Sequence, residues 1–362
     1  MVHKRVKVRI YPTKEQKAVL DRHFDVYRFI YNLCLEYKTM MYRDYGINKS
    51  GYDMQKEIFE LRKDFDWMMV CKAECLRDAG LNVDKSFKKF FKGAGYPKFK
   101  SKKSENSFSA YQSIKCNGNL LYFYKQKIKF RTSERYVCLL NTHKIKQVTF
   151  KKDKCGEYWA TFLIITEVNK ELPKTNKIIG IDLGIKHLVI TSEGEIFENK
   201  RYFDKTKDKL KKAQQKFSKT KEGSKNRDKC RIKIAKIHRK ITRQREWYYH
   251  QISNKLLYDN QVVVMETLKV QNMLGRKEFS RLISDASWGK LTQMLEYKAK
   301  WYGREVFKVD TYFPSSKMCS GCGGIKQDLK LTDRVYICQN CNLEIDRDVN
   351  ASRNIKRQYK NI

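Results

Sequence analysis

Four cysteines close to the C-terminal end constrain this chain more than any other feature. They are spaced Cys319-x2-Cys322, then fifteen residues, then Cys338-x2-Cys341. Each CxxC turn aims two sulfurs at one point, and two such turns complete a tetrahedral set of four thiolates suited to zinc. All four positions are supplied by protein, so the site reads as structural, with no open position for chemistry. Four unrelated thiols or two disulfides are the rival reading. The paired spacing and the glycine in the first turn, Gly321, count against it. Directly after the second pair comes Asp346-Arg347-Asp348-Val349-Asn350, which opens a helical run, and a carboxylate there is favoured by the exposed N–H groups of a helix start.

Two further acids stand in matching contexts. Ile178 to Ile181 reads as a buried strand that ends at Asp182, followed by a glycine turn, a second strand and a hairpin at Glu193-Gly194. Val262 to Met265 is a second short all-apolar strand, ending at Glu266. An acid at the end of a buried strand is costly to hold unless something binds it. One such residue alone is a solvated strand end; two of them plus a helix-start acid form a set. Three carboxylates of this kind can hold two divalent ions about 4 Å apart and direct water at a phosphodiester.

The stretches GIDLG, VVVMETL, SSKMCSGCG, YICQNC and DRDVNASRNI resemble, in that order, the RuvC-type nuclease half of the TnpB family. These are transposon-encoded RNA-guided DNA endonucleases related to the type V CRISPR effectors. RIYPTKEQKAVLDRHFDVYRFIYN is similar to the family's N-terminal start and GYPKFKSKKSENSF to its middle signature, so the resemblance spans nearly the whole chain. It implies an RNase H-like (RuvC) α/β nuclease domain with an inserted zinc ribbon, preceded by a wedge β-barrel that carries a helical recognition insertion. The implied boundaries are 1–12 and 93–172 for the barrel, 13–92 for the helical lobe, 173–318 and 346–362 for the nuclease domain, and 319–345 for the ribbon. It implies catalysis by Asp182, Glu266 and Asp348 with two Mg2+ or Mn2+ ions, and one structural Zn2+ on Cys319, Cys322, Cys338 and Cys341. The family motif places its ligand two residues before the asparagine, which selects Asp348 and leaves Asp346 as a cap or as an acid that supports the ligands from outside the set. The implied partners are a guide RNA, a double-stranded DNA target with a short adjacent motif and its single strands, bound by a monomer.

Composition agrees with such partners. Lys and Arg number 78 against 40 Asp and Glu, a formal charge of +38 over 362 residues. That imbalance calls for a polyanion. No apolar run approaches the roughly 18 residues of a membrane span and no signal-peptide pattern opens the chain, so a cytoplasmic, nucleoid-associated bacterial or archaeal protein is expected. The seven cysteines outside the ribbon form no second matched set; Cys71 and Cys75 read as core residues.

In chain order, residues 5–10 alternate Val6, Val8 and Ile10 with Arg5, Lys7 and Arg9, a half-buried strand with a basic outer face that Pro12 ends. Thr13-x-x-Gln16 is a capping box, and Leu20, Phe24, Tyr27, Tyr31 and Leu35 form the apolar face of the helix behind it. Phe87, Phe90 and Phe91 interleave with lysines, a pattern for a helix packed on one side and facing phosphates on the other. Strands dominate from about 106 to 167, with a hairpin at Asp153–Gly156. Residues 200–245 carry 20 basic against 4 acidic residues in two helical segments broken at Gly223-Ser224, which reads as a surface laid along phosphates. Trp247, Tyr248 and Tyr249 read as the rings that pack this hairpin down. After Glu266 comes a loop with Gly275, Arg276 and Lys277, then a helix from Ser287 to Tyr302, then a strand that ends at Asp310, a fourth strand-end acid read as structural or as support for the three ligands.

Three other functions use similar parts. A compact type V CRISPR effector shares fold and chemistry but draws its guide from a repeat array. A nuclease-inactive RNA-guided repressor would have lost a carboxylate, and none is lost here. A DNA-strand-transferring transposase uses an acidic triad too, without a ribbon just before the third acid.

Overall fold

The computed structural model describes residues 2–359 apart from 103–105, 113, 167–170, 270–272, 274, 276 and 331–332, and the side chains of 2 and 277–279 are likewise outside it. Arg276, in the loop after Glu266, therefore lies outside the described residues. The chain divides into two units, Met1–Glu167 and Val168–Ile362.

In the first unit, strand β1 (Val2–Tyr11) buries Val6, Val8 and Ile10 and turns Arg5 and Lys7 outward, as a period of two requires. Helix α1 (Lys14–Tyr45) follows Pro12. Its capping box is formed, with Thr13 N–H donating to Gln16 Oε1 at 3.0 Å and Gln16 N–H to Thr13 Oγ1 at 3.4 Å. The face carrying Leu20, Phe24, Tyr27, Tyr31 and Leu35 is buried. Helices α2 (Gly51–Asp64), α3 (Asp66–Met69) and α4 (Ala73–Phe90) complete the helical part, with Cys71 and Cys75 in the core. Of the aromatic residues that close α4, Phe87 is buried whereas Phe91 is 78% exposed.

The strands of this unit are β2 (Asn106–Ala110), β3 (Lys115–Asn117), β4 (Leu120–Phe123), β5 (Gln126–Arg131), β6 (Ile145–Lys152) and β7 (Tyr158–Thr166), with the short helix α5 (Glu134–Thr142) between β5 and β6. With β1 they form one antiparallel sheet in the order β2-β6-β7-β1-β5-β4-β3. The sheet curls on itself, as the barrel expected from the sequence requires: Phe123 of β4 lies with its ring 5.8 Å from Phe108 of β2 and 4.6 Å from Phe150 of β6, strands from the opposite end of the order. Among the described residues no backbone pairing joins the end strands β2 and β3. His23 of α1 stacks on Phe108 of β2 with ring centroids 5.1 Å apart, which covers that end of the sheet.

The second unit is built on a five-stranded sheet of β8 (Ile178–Asp182), β9 (His187–Thr191), β10 (Ile196–Glu198), β11 (Val262–Glu266) and β12 (Glu305–Val309), in the order β10-β9-β8-β11-β12. β8, β11 and β12 run parallel, while β9 and β10 are antiparallel. Parallel strands are covered on both faces, which is why β8 and β11 read as unbroken apolar runs. Val263 and Met265 point into a core shared with α7 (Lys225–Asp259) and α9 (Trp288–Tyr302), through Tyr249, Ile252, Leu256, Leu291 and Leu295. Val262, Val264 and Val309 point to the other face, where Ile355 of the last helix, α10 (Arg347–Gln358), packs on them. Helices α6 (Lys207–Ser218) and α8 (Lys277–Ala286) lie before and after these elements in sequence.

Candidate active site

Strand alternation decides where the acids go. In β8, an added Cβ on Gly180 would come within 2.1 Å of the Ser352 carbonyl oxygen and 2.7 Å of Lys356 N, so only glycine lets α10 lie this close to the strand. Asp182, two residues on, shares that face. In β11, Glu266 follows Val262 and Val264 and faces α10 as well. The parallel ladder pairs Ile181 with Met265, so the next rung sets Asp182 beside Glu266. The two carboxyls are close enough for each to act on the other's ionisation.

The third acid comes from the helix. Asp346 caps α10, its carboxylate accepting the N–H groups of Asp348 and Val349 at 2.9 and 3.1 Å. The capping acid and Asp348 thus have separate tasks, and Asp348 is left free of the cap. Its Oδ1 accepts from Arg347 Nε and Nη2 at 3.1 and 3.0 Å. Asp310 does not join the group: its carboxylate accepts the Tyr312 N–H at 2.8 Å and turns the chain after β12.

The electrostatics follow from this placement. Burial pushes the Asp182 carboxyl well above the usual carboxylate range, the negative charges of Glu266 and Asp348 add to the push, and Arg347 opposes it. Burial also raises Glu266, with Asp182 and the Leu183 N–H nearby working the other way. A site that holds its carboxyls against ionisation is short of positive charge, and an all-oxygen donor set suits a hard divalent cation.

The four cysteines converge. Their sulfurs all lie within 4.8 Å of one another, the one such group of three or more metal-donor side chains among the described residues. Cys319 and Cys341 sulfurs are 3.6 Å apart and those of Cys322 and Cys338 3.5 Å. A disulfide needs about 2 Å, whereas thiolates at about 2.3 Å from a central metal are spaced by roughly 3.8 Å. The spacing suits four thiolates around one metal ion and excludes disulfides between these pairs. The Cys341 and Asn340 N–H groups hold the Cys338 thiol down to about 6, toward the thiolate a metal binds. Strands β13 (Val335–Ile337) and β14 (Glu344–Asp346) build the module around buried Tyr336.

The basic segment 200–245 forms a hairpin of α6 and α7, with Ser224 capping α7 at Arg227 N–H (3.1 Å) and Gly223 at φ 76° in the turn. Leu210, Ala213, Ile237 and Ile241 make its thin core. Arg227 serves the fold, donating to the Thr220 carbonyl at 2.8 Å with its guanidinium 4.2 Å over Phe217, and Arg245 is spent on Asp285 and Ser287. Lys209, Lys212, Lys216, Lys229, Lys233, Lys236 and Lys240 are exposed. Of the rings expected to pack the hairpin down, Tyr249 does so and Trp247, at 62% exposure, does not.

Gly180, Arg347 and Asn354 have roles that no local pattern states, and Asn350 has one beyond marking the motif: each depends on how α10 packs.

Comparison with known proteins gives the class first. The fold is that of Cas12f1 in the solved Cas12f1–sgRNA–target DNA complex, with a TM-score of 0.62, 16% identity and 98% of each chain covered. Family models match as "Cas12f1-like, TNB domain" over residues 288–355, "Probable transposase" over 161–277 and "Helix-turn-helix domain" over 1–46. In that last stretch the structure holds β1 and one unbroken helix. A Streptomyces pristinaespiralis protein named as an RNA-guided DNA endonuclease is 36% identical over 361 residues, 98% of this chain and 89% of its own. InsQ of Escherichia coli (strain K12), named likewise, is 25% identical over 96% of this chain and 90% of its own. The chain belongs to the TnpB family of transposon-encoded RNA-guided DNA endonucleases.

Proposed function

We propose that this chain cuts double-stranded DNA at an RuvC-type centre of Asp182, Glu266 and Asp348, directed by a guide RNA and a short motif beside the target. The observation that carries the reading is the placement of Asp182 and Glu266 on one rung of the parallel ladder, on the face that α10 covers from Asp348 onward. Asp182, central in the sheet, would hold divalent cation, Mg2+ or Mn2+, together with Glu266 and Asp348. When bound, such ions supply an ionised water and neutralise charge on the phosphodiester. The chain's own contribution is orientation. The parallel ladder sets Glu266 beside Asp182, the Asp346 cap fixes the backbone at Asp348, and Gly180 lets the helix come close enough to bring that residue in.

The cysteine cluster is the zinc site of a ribbon that shapes the end of the nuclease domain. The exposed lysines of the α6–α7 hairpin track a phosphate backbone. A monomer with its RNA is the working unit.

The test is to express the protein from its native locus, sequence the RNA that copurifies, and challenge the complex with a plasmid bearing the matching target. One RNA that overlaps the end of its own gene and runs into flanking sequence, with cleavage lost in Asp182→Ala, supports the proposal. RNA from a spacer-repeat array would instead make it a type V CRISPR effector, a reading kept open by the Cas12f1-like match over 288–355. A heterogeneous RNA pool would sink the guided reading.

A further inference from the structure

We propose that Asn350 and Asn354 are positioning residues that tie the cysteine cluster to Asp348, so that metal held by the thiols sets how well Asp348 completes the acidic site. The inference rests on the reading of Asp348 as a cation ligand.

Both asparagines are fully buried, one turn apart on α10. Asn350 Oδ1 accepts the Ser320 N–H at 2.8 Å, and its Nδ2 donates to the Met318 carbonyl at 2.7 Å. Asn354 Nδ2 donates to the carbonyls of Met318 and Ser315 at 2.6 and 2.9 Å. All four bonds go to backbone atoms of 315–320, the segment that enters the first CxxC turn. Cys319 lies between Met318 and Ser320, both of which are clamped, and its own N–H donates to the Gly324 carbonyl at 2.8 Å. The first turn is thereby held from two sides, by whatever the sulfurs bind and by the helix.

Asn350 is two residues from Asp348, about 200° around the helix, so one side chain meets the ribbon segment while the other faces the acids. Metal at the cysteines fixes the 319–322 turn. The amide and carbonyl that Asn350 reads are then fixed, and so is the register of the helix start. Without that metal the turn relaxes, and Asn350 either follows it or leaves buried groups unpaired. Asn and backbone are neutral, so the coupling works through geometry and does not depend on salt. Coupling between two sites is reciprocal.

The test uses full-length protein with its guide RNA, as wild type, Asn350→Ala and Asn354→Ala. Three quantities are measured: the Mg2+ concentration that half-saturates target cleavage, the rate of zinc transfer to a colorimetric chelator, and target binding. Each variant is expected to need about fivefold or more extra Mg2+ and to release zinc faster by a similar factor, with target binding unchanged. Wild type stripped of zinc should show the same raised Mg2+ requirement, which reads the coupling even if a variant folds poorly. An unchanged Mg2+ requirement in zinc-stripped wild type, or in folded variants, would overturn the proposal. Full cleavage by Asp348→Ala would instead bring down the reading beneath it.

Discussion

Asp182 and Glu266 stand on one rung of neighbouring parallel strands, half-buried and on the same face of the sheet. Two carboxylates side by side repel, and burial with that repulsion raises the Asp182 carboxyl above its ordinary range. A divalent cation at the pair would relieve that repulsion. Bringing them together needs no loop geometry: both strands are short, apolar and in register, and each ends in an acid.

The first prediction concerns chemistry. On the proposed reading, Asp182→Ala and Glu266→Ala each remove a cation ligand worth several kcal/mol of charge stabilisation, which corresponds to a loss of about 10³-fold or more in cleavage rate. Guide and target binding should survive, because neither carboxylate touches the basic surfaces. Single-turnover cleavage and a binding assay on the same complex decide it. Cleavage at the normal rate in either variant removes that residue from the site.

A second prediction follows from the raised carboxyls. Asp182 and Glu266 both hold protons more tightly in the fold than free carboxyls do, for which values near 4 are usual. The unfolded chain releases those protons first, so without divalent cation this pair costs stability as pH climbs above about 4. Asp182→Asn removes the penalty. In Mg2+-free buffer the variant should therefore melt higher than wild type at pH 8, and the difference should shrink at pH 5. Added Mg2+ should raise the wild-type melting temperature more at pH 8 than at pH 5. A pH-independent difference between the two proteins would contradict this assignment of the shifts.

Gly180 offers a third. Its missing Cβ is the space in which the Ser352 carbonyl sits, so Gly180→Ala forces α10 off β8. Overpacking of this kind costs about 1–3 kcal/mol. It should also carry Asp348 away from Asp182, so cleavage should fall further than the lost stability explains. Thermal melts paired with cleavage rates well below the melting temperature separate the two effects. A variant that is less stable but cuts at the wild-type rate would show that Asp348 tolerates the shift.

Much of this is written locally. Strand ends at Asp182 and Glu266 are legible because parallel strands buried on both faces must be apolar until they stop, and the capping boxes and CxxC pairs are short-range devices. What is not legible depends on partners far along the chain. Gly180 reads as a strand glycine until α10, some 170 residues later, is laid against it. Asn350 and Asn354 read as helix polar residues until the 315–320 segment supplies their partners. The rings of Phe91 and Trp247 look like packing residues, yet both are exposed, since interleaved aromatic and basic residues do not say which way the helix will face.

The basic hairpin carries the last prediction. Lys229, Lys233, Lys236 and Lys240 recur at helical spacing along α7 and are all exposed, whereas Arg227 and Arg245 on the same helix are spent inside the fold. Replacing the four lysines with Gln should leave melting temperature almost unchanged and weaken nucleic-acid binding with little regard to sequence. Each lost phosphate contact lowers the slope of log affinity against log salt by about 0.9 for duplex DNA, or about 0.7 for a single strand. Four contacts would thus flatten the slope by roughly 3 to 4. Replacing Arg227 with Gln should do the opposite, destabilising the hairpin turn while the slope falls by no more than one contact's share. Titrations at four salt concentrations distinguish the two classes, and an unchanged slope in the quadruple variant would make the stripe a solvated face.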